Sequence, residues 1–384
     1  MALIFCDGCD RYQNTADLAT LGWTNDDSTN ITLDATGSQW GGKCFKFGDL
    51  ATAGVSTFPG MSRPLNRKPV GTVIRVAFWI KTAAAMSFSS GLTGGEALFS
   101  INRSRYDTAK AEAITTMVNS SGAINVYKFD TMSSNARELI GTGGTIAIND
   151  GNWHHWELEF TVNTATGSVK TWVDGVADYN TTGVDTTDAV NDADISWLNT
   201  FKLSGGKRAP GVSDAVYFDD IIIWDDDSTD SENTMTGALP SHTHRIETKT
   251  PNSDNSVQFT RSTGGNNYAN VDDLAPYNSD TDYNYSTTNN HVDLLGMATS
   301  SVFADAIYAV NVVAVTRKTS SSNGIPKVRA KAKNSATTRS SENRPVWHTS
   351  YKVMEFPMCK DPNGGAAWTH TSLQTTLFGY ERLS

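Results

Sequence analysis

The chain has 384 residues, 41 of them acidic and 31 basic, for a formal net charge of -10. That balance argues against nucleic acid or an anionic membrane as a partner of the whole surface. No apolar run approaches the roughly 18 residues of a membrane-spanning helix.

Hydrophobic residues make up 38% and charged residues 19%, so Ser, Thr, Asn, Asp and Gly fill the gap. Such a chain suits many short strands joined by polar turns and suits long helices poorly. Ten tryptophans make a packed core feasible. The length fits two ordinary domains, or one large sandwich and a smaller one. Met1-Ala2-Leu3-Ile4-Phe5-Cys6-Asp7 is too short and lacks the basic flank of a signal peptide, so synthesis and folding in a cytoplasm are expected.

Near the N-terminus, Asn14 to Leu21 could hold a short helix. Thr72 to Thr82 alternates, with Ile74, Val76, Phe78 and Ile80 on one face. Asp107 to Thr116 is a second short helical candidate. In Trp153 to Val162, Trp156, Leu158, Phe160 and Val162 point one way and His155, Glu157 and Glu159 the other, towards solvent. Ser168 to Val173 leads into Asp174-Gly175, which favours a type I′ turn because both central residues need positive φ. Val176 to Tyr179 is the return strand. Val216 to Trp224 is apolar on both faces apart from Asp219 and Asp220, and reads as a central strand.

Composition then changes. Asp225 to Asn233 is acidic and polar, a linker by composition. An EF-hand reading fails there for want of the glycine at loop position six. The domain boundary falls between about 226 and 245. Beyond it, Ala306 to Val315, Tyr351 to Phe356 and Trp368 to Phe378 supply core candidates. Lys327 to Lys333 alternates strictly: Val328, Ala330 and Ala332 inward, Lys327, Arg329, Lys331 and Lys333 outward. That basic face reads either as an edge strand blunted by lysines or as a docking face for a neighbouring subunit.

Trp153-His154-His155-Trp156-Glu157-Leu158-Glu159-Phe160, Val173-Asp174-Gly175 and Phe218-Asp219-Asp220-Ile221-Ile222-Ile223-Trp224 together resemble strands of concanavalin-like, laminin-G or pentraxin-type lectin sandwiches. The opening Asp7-Gly8-Cys9-Asp10-Arg11-Tyr12, with Gly41-Gly42-Lys43, is similar to the N-termini of tailed-bacteriophage virion proteins. It departs from them in having Cys9 where an aromatic is usual. Gln258 to Tyr268, Val271-Asp272-Asp273 and Asp280 to Tyr283 resemble a module paired with such sandwiches in phage genomes.

Some concanavalin-like relatives are glycoside hydrolases, which carry E-x-D-x-x-E on one strand. That string is missing here, and Glu157-x-Glu159 is the nearest approach. There is no Gly-x-Ser-x-Gly elbow and no Walker loop. A lectin reading would place Trp172, Tyr179 and Trp197 as stacking aromatics, with Asp185, Asp188, Asp192 and Asp194 as calcium or glycan ligands. The plainer reading is a solvated acidic loop. Asp219 and Asp220 read as hydrogen-bonded structural aspartates rather than ligands, and His154-His155 as ordinary strand residues. Cys6-x-x-Cys9 is half a zinc clamp, completed only if His242 and His244 come close; buried or reduced thiols are the plainer reading for all four cysteines.

The sequence thus predicts an all-β chain. A concanavalin/laminin-G-like jelly-roll domain spans 1–228, an acidic linker 229–244 and a second, smaller β-sandwich domain 245–384. The resemblance implies a non-enzymatic structural component of a tailed-phage virion, in tail, neck or capsid decoration, assembled with other virion proteins and with copies of itself. The alternative is a glycan-binding adhesin of the phage tail. No catalytic residue, metal or cofactor is expected, calcium in the acidic loop excepted, and no nucleic acid or membrane partner.

Overall fold

The computed structural model describes residues 3–25, 30–48, 60–69, 71–86, 98–103, 112–129, 137–186, 197–205, 215–226, 239, 243–274, 280–300, 306–320 and 324–384. The chain begins with β1 (Leu3–Asp7), one helical turn α1 (Asp17–Thr20), β2 (Thr24–Asn25), β3 (Ile31–Asp34), β4 (Cys44–Phe47) and β5 (Gly60–Pro69). Then come β6 (Val73–Lys81), β7 (Phe99–Arg103), β8 (Glu112–Val118), β9 (Ile124–Phe129) and β10 (Arg137–Leu139). β11 (Trp153–Thr161), β12 (Gly167–Val173), β13 (Val176–Val184), β14 (Trp197–Ser204) and β15 (Val216–Asp225) complete the first sandwich.

One layer of that sandwich has the order β13-β12-β11-β6-β15-β4-β3, with β1 also on β15; the other runs β10-β9-β8-β7-β14-β5-β2. The all-β jelly-roll expectation holds. Alternation explains it. β11 pairs with β6 so that Trp156 faces Phe78, Leu158 faces Val76 and Phe160 faces Ile74. All six side chains are buried between the layers, each contributing about 1.5–3 kcal/mol. Asp174 and Gly175 have φ of 50° and 79°, as a type I′ turn requires. β15 is central, paired with β6, β4 and β1. The helix expected from Asp107 does not form over 112–116, which belong to β8; 107–111 lie outside the described residues. Ile114, Thr116 and Val118 share the inward face of that strand, a period of two, where a helix would turn Thr116 away from the other two.

The second half contains β16 (Pro251–Ser256), β17 (Thr260–Arg261), β18 (Asn284–Tyr285), β19 (Val292–Met297) and β20 (Asn311–Thr316). β21 (Lys327–Asn334), β22 (Thr337–Ser340), β23 (Arg344–Pro345), β24 (Lys352–Pro357), α2 (His370–Thr375) and β25 (Leu377–Leu383) follow. A six-stranded sheet, β16-β19-β25-β21-β22 with β23 on β21, faces the pair β20-β24. Val328, Ala330, Ala332, Phe356, Trp368 and Phe378 fill the space between. α2 starts with a capping box, in which Thr369 and Ser372 each accept the other's backbone N–H.

The two halves meet on the outer face of the eight-stranded sheet. Leu3, Ala77, Ile222 and Trp224 pack there against Leu239 and Cys359. Glu355 of β24 accepts Arg11 Nη1 at 3.3 Å and Arg63 Nη2 at 2.7 Å, and both arginines are buried. Replacing Glu355 by Gln leaves two buried cations short of their shared anion. The expected loss is about 2–4 kcal/mol, read from urea unfolding; an unchanged midpoint would mean that the guanidinium groups reach water instead.

Candidate functional site

The outer face of the seven-stranded sheet carries the candidate site. Directly opposed residues of an antiparallel pair point to the same face. The register sets Tyr127 against Thr115, Thr115 against Ser100, Ser100 against Lys202, Lys202 against Ser62 and Ser62 against Thr24. This polar row crosses six strands, roughly 24 Å at about 4.8 Å per spacing. The alternate residues, Ile124, Val126, Ile114, Phe99, Ile101, Phe201 and Leu203, fill the sandwich core.

At one end of the row lies a fixed polar group. Asn125 Nδ2 donates to Tyr127 Oη at 3.0 Å. The Asn125 oxygen accepts from Gly144 N at 3.0 Å and from Asn119 Nδ2 at 3.3 Å, which sets the amide orientation. Arg137 is opposite Phe129 on β10, yet its Nη1 reaches Met117 Sδ at 3.7 Å, and Met117 is opposite Asn125. The guanidinium therefore crosses β9 beside the Asn125–Tyr127 pair. Thr115 Oγ1 is buried without a hydrogen-bond partner. Lys202 leans over Gly60, where a Cβ would lie 2.6 Å from Lys202 Cε; only glycine leaves it room. Register places two cations on this face, Arg137 and Lys202, and sets Glu112 opposite Asn102.

The outer face of the eight-stranded sheet is closed. Glu157 and Glu159, expected towards solvent, are buried. Their alternation is as read, but Glu157 is covered from Leu239, and Glu159 is held by cations of its own sheet. Glu157 Oε1 accepts Leu239 N at 3.1 Å. Glu159 holds Arg75 Nε at 2.8 Å and Lys170 Nζ at 2.7 Å. His155 Nε2 lies 2.9 Å from His244 Nδ1, His244 Nε2 meets the Asp220 carbonyl, and Trp79 Nε1 donates to the His244 carbonyl at 2.9 Å. The carbonyl can only accept, so His244 Nε2 carries the proton and its Nδ1 accepts from His155. Burial pushes the His244 pKa down to about 4. His154, by contrast, sits between Asp174 and Asp150 at 2.7 and 2.9 Å. Burial opposes its charged form, but the two carboxylates outweigh that and raise its pKa.

A shallow acidic cleft adjoins this seal, where Asp10, Lys43, Asp219, Asp220 and Arg245 converge. Asp219 accepts Gln39 N and Asp220 N at 3.0 and 2.9 Å. Burial raises its pKa to about 7, and burial with the neighbouring Asp219 raises that of Asp220 further. Asp220 occupies a bulge at φ 47°. One of its oxygens accepts Ile246 N at 3.1 Å and the other has no partner. Among the described residues no group of three or more His, Cys, Asp or Glu side chains is arranged to hold a metal. Cys6, Cys9, Cys44 and Cys359 are all free thiols. Burial pushes Cys6 up to about 12. His242 lies outside the described residues.

The residues singled out from sequence do not come together. Trp172 is half-buried on the outer face of β12, opposite Glu157. Tyr179 is buried in the sandwich core and presents no ring face to a sugar, because it is opposite Thr171 on the inward face. Asp185 is paired with Lys128 at 3.1 Å. Asp188, Asp192 and Asp194 lie outside the described residues, and Trp197 is described only as the start of β14. β21, which carries Lys327, Arg329, Lys331 and Lys333, is not an edge strand: β25 pairs with one side and β22 and β23 with the other. The blunted-edge reading is therefore corrected. Tyr127, Asn125, Arg137 and Lys202 were missed. The one local signal was the alternation of Ile124-Asn125-Val126-Tyr127, with polar residues on the outward positions.

No family model matches the chain, and no curated protein matches it. Solved structures do. An endo-β-1,4-glucuronan lyase from the fungus Trichoderma reesei matches at TM-score 0.41 and 14% identity, over 50% of this chain and 85% of its own. The alginate lyase Aly36B, solved as a mutant with an alginate trisaccharide, matches at TM-score 0.42 and 9% identity, over 59% and 98%. An endo-1,3-β-glucanase from Streptomyces sioyaensis matches at TM-score 0.37 and 13% identity, over 58% and 95%. At these scores the likeness assigns no role to any residue. The expectation of a non-enzymatic phage virion component is corrected here: these matches are polysaccharide lyases and a glucanase, and nothing among the findings indicates a virion protein.

The His244 seal has a pH signature. The folded ring stays neutral down to about 4, while an unfolded one titrates near 6.5. Between those values the unfolded chain binds more protons, so this contribution falls as pH drops, by at most about 1.4 kcal/mol per pH unit. Asp219 acts oppositely. Its raised pKa makes the folded state bind more protons, so its contribution is lost as pH rises from 3.8 towards about 7. Urea unfolding of wild type and His244→Gln across this range isolates the histidine: the wild-type advantage should shrink as pH falls. A constant difference would show that His244 does not titrate this way.

Proposed function

We propose that the chain is a polysaccharide lyase that cleaves a uronate-containing polymer on the outer face of the seven-stranded sheet. The observation that carries this reading is the Asn125–Tyr127–Arg137 group, in which the Asn125 amide is fixed on the Tyr127 hydroxyl beside the Arg137 guanidinium. The polymer would cross the strands along the row, with half-buried Ser62 and Lys202 meeting sugar groups; Thr115 and Ser100 are fully buried and support the face from beneath, and Tyr127 and Arg137 keep only 6% and 9% of their surface exposed. Arg137 suits a sugar carboxylate, since a guanidinium offers paired N–H donors in a planar fork.

Elimination beside a carboxylate needs few parts. A base removes the proton on the carbon bearing the carboxylate. The C–H electron pair becomes a C=C bond, and the glycosidic C–O bond breaks towards oxygen, which takes up a proton. Tyr127 is placed to take the first proton and return it to the leaving oxygen, with the Asn125 N–H favouring charge on the phenol oxygen. Arg137 would stabilise the charge that builds on the carboxylate. Retaining glycoside hydrolysis needs instead two carboxyl groups about 5–5.5 Å apart. Glu157 and Glu159, the sequence's nearest approach to such a pair, are sealed and bonded on the opposite sheet.

Glucuronan and alginate, the polymers named for two of the matched lyases, are the first substrates to test, with a neutral β-1,3-glucan as control. Ultraviolet absorbance of unsaturated ends should rise with a uronate polymer and not with the glucan. Tyr127→Phe should lower kcat by about 10²–10⁴-fold with an unchanged melting temperature, and Arg137→Ala should raise KM as well. New reducing ends without unsaturation, or full activity in Tyr127→Phe, would overturn the reading.

A further inference from the structure

We propose that the second half carries its own binding site for an anionic polysaccharide, on the face of the six-stranded sheet that bears Lys327, Arg329, Lys331 and Lys333, with Trp347 at its end. The site would hold polymer without reacting with it. The polymer class rests on the lyase reading; the location of the site does not.

The face is defined by register. The opposite side of β21, with Val328, Ala330 and Ala332, is buried towards β20 and β24. The four cations occupy the other side, over about 20 Å of strand. Glu381 is directly opposite Arg329 and binds both Arg329 Nε at 2.6 Å and Lys331 Nζ at 2.7 Å. One carboxylate thus answers two of the four cations. Lys327 is exposed and Lys333 half-buried, and neither makes an ion pair among the described residues. Glu342, beyond β22, pairs with none of the four. In a chain of net charge -10 this is a localised cationic strip.

An aromatic lies in line with it. Lys327 is opposite Pro345, and Val346 N donates to the Pro326 carbonyl at 2.8 Å, so the extended pairing continues. Arg344 turns inward over the Phe356 ring and Val346 is buried, so alternation turns Pro345 and Trp347 to the cationic face. Trp347 is 64% exposed, more than any other large hydrophobic side chain described. Ile325, also exposed, flanks Pro326. An exposed indole beside a strip of cations matches a ligand with apolar ring faces and carboxylates, which is a uronate chain. Polyphosphate chains share the charge, but the chain's net charge of -10 repels their denser charge more strongly.

The test uses the full chain in the Tyr127→Phe background, so that the polymer survives the measurement. Retardation in gels containing alginate gives affinity, with neutral glucan and single-stranded DNA as comparisons. Trp347→Ala and Lys327→Gln/Lys333→Gln should each weaken alginate retardation roughly tenfold, with an unchanged melting temperature. In the unmutated Tyr127 background both should cleave a short uronate oligosaccharide within about twofold of wild type. Unchanged retardation in both variants, or tighter binding of DNA than of alginate, overturns the proposal. If no uronate is cleaved but retardation still depends on Trp347 and the two lysines, the lyase reading fails and this site stands.

Discussion

His155 meets the neutral ring of His244 under the second half of the chain, and this buried contact is one that the docking of the two halves has to satisfy. Each ring is buried, and a second proton on His244 would set N–H against N–H. Glu355 completes the contact by reaching into the first sandwich between Arg11 and Arg63. The outer face of the eight-stranded sheet thereby becomes an interior. Side chains that alternation directs away from the core, such as Trp79 and Glu157, find partners there rather than water. The outer face of the seven-stranded sheet, where Asn125, Tyr127 and Arg137 are also largely buried, is the one on which we propose that a polymer binds.

The N-terminal motif makes this docking possible. Asp7 accepts Arg11 Nη2 at 2.7 Å, Cys9 N at 3.0 Å and Trp23 Nε1 at 3.2 Å, besides the Tyr12 hydroxyl. Burial opposes its charge, but Arg11, Tyr12 and Arg63 outweigh it and hold the carboxyl below the usual range. Arg11 is thus aimed at Glu355. Gly8 must be glycine because a Cβ would lie 2.8 Å from the Ile246 carbonyl. Asp10 accepts Lys43 N at 2.8 Å, which ties Gly41-Gly42-Lys43 to the same corner. The residues that resemble phage virion N-termini therefore have a packing explanation. They describe how this sandwich starts and how its second half is attached.

β6, β11, β12 and β15 were legible because their apolar residues alternate and their turns carry Asp-Gly or run in continuous apolar stretches. β8 was misread as helical because threonines occupy both faces, Thr115 outward and Thr116 inward, so the alternation is blurred. The outward direction of Glu157 and Glu159 was legible and their burial was not, since that of Glu157 depends on a partner more than 80 residues away in sequence, at Leu239. The candidate site was hidden for a related reason. Tyr127, Thr115, Ser100 and Lys202 belong to four strands and become neighbours only through register. A search for carboxylate strings on one strand cannot find a site built one residue per strand.

If the proposed reading holds, an acidic protein handles an acidic polymer, which poses a problem of field. Charges more than about 8–10 Å apart in solution are largely screened, so the net charge of -10 governs the approach of the polymer but not its final contacts. On the proposed reading those would be set by Arg137 and Lys202 on one sheet and by the Lys327–Lys333 strip on another. The surrounding acidic surface then disfavours binding elsewhere. A polymer held on the second sheet raises its own local concentration at the first without any change in the site itself. A weak holding strip serves that purpose better than a strong one, since an eliminated product must leave; two lysines without an ion pair among the described residues and a single exposed indole make a contact of that strength.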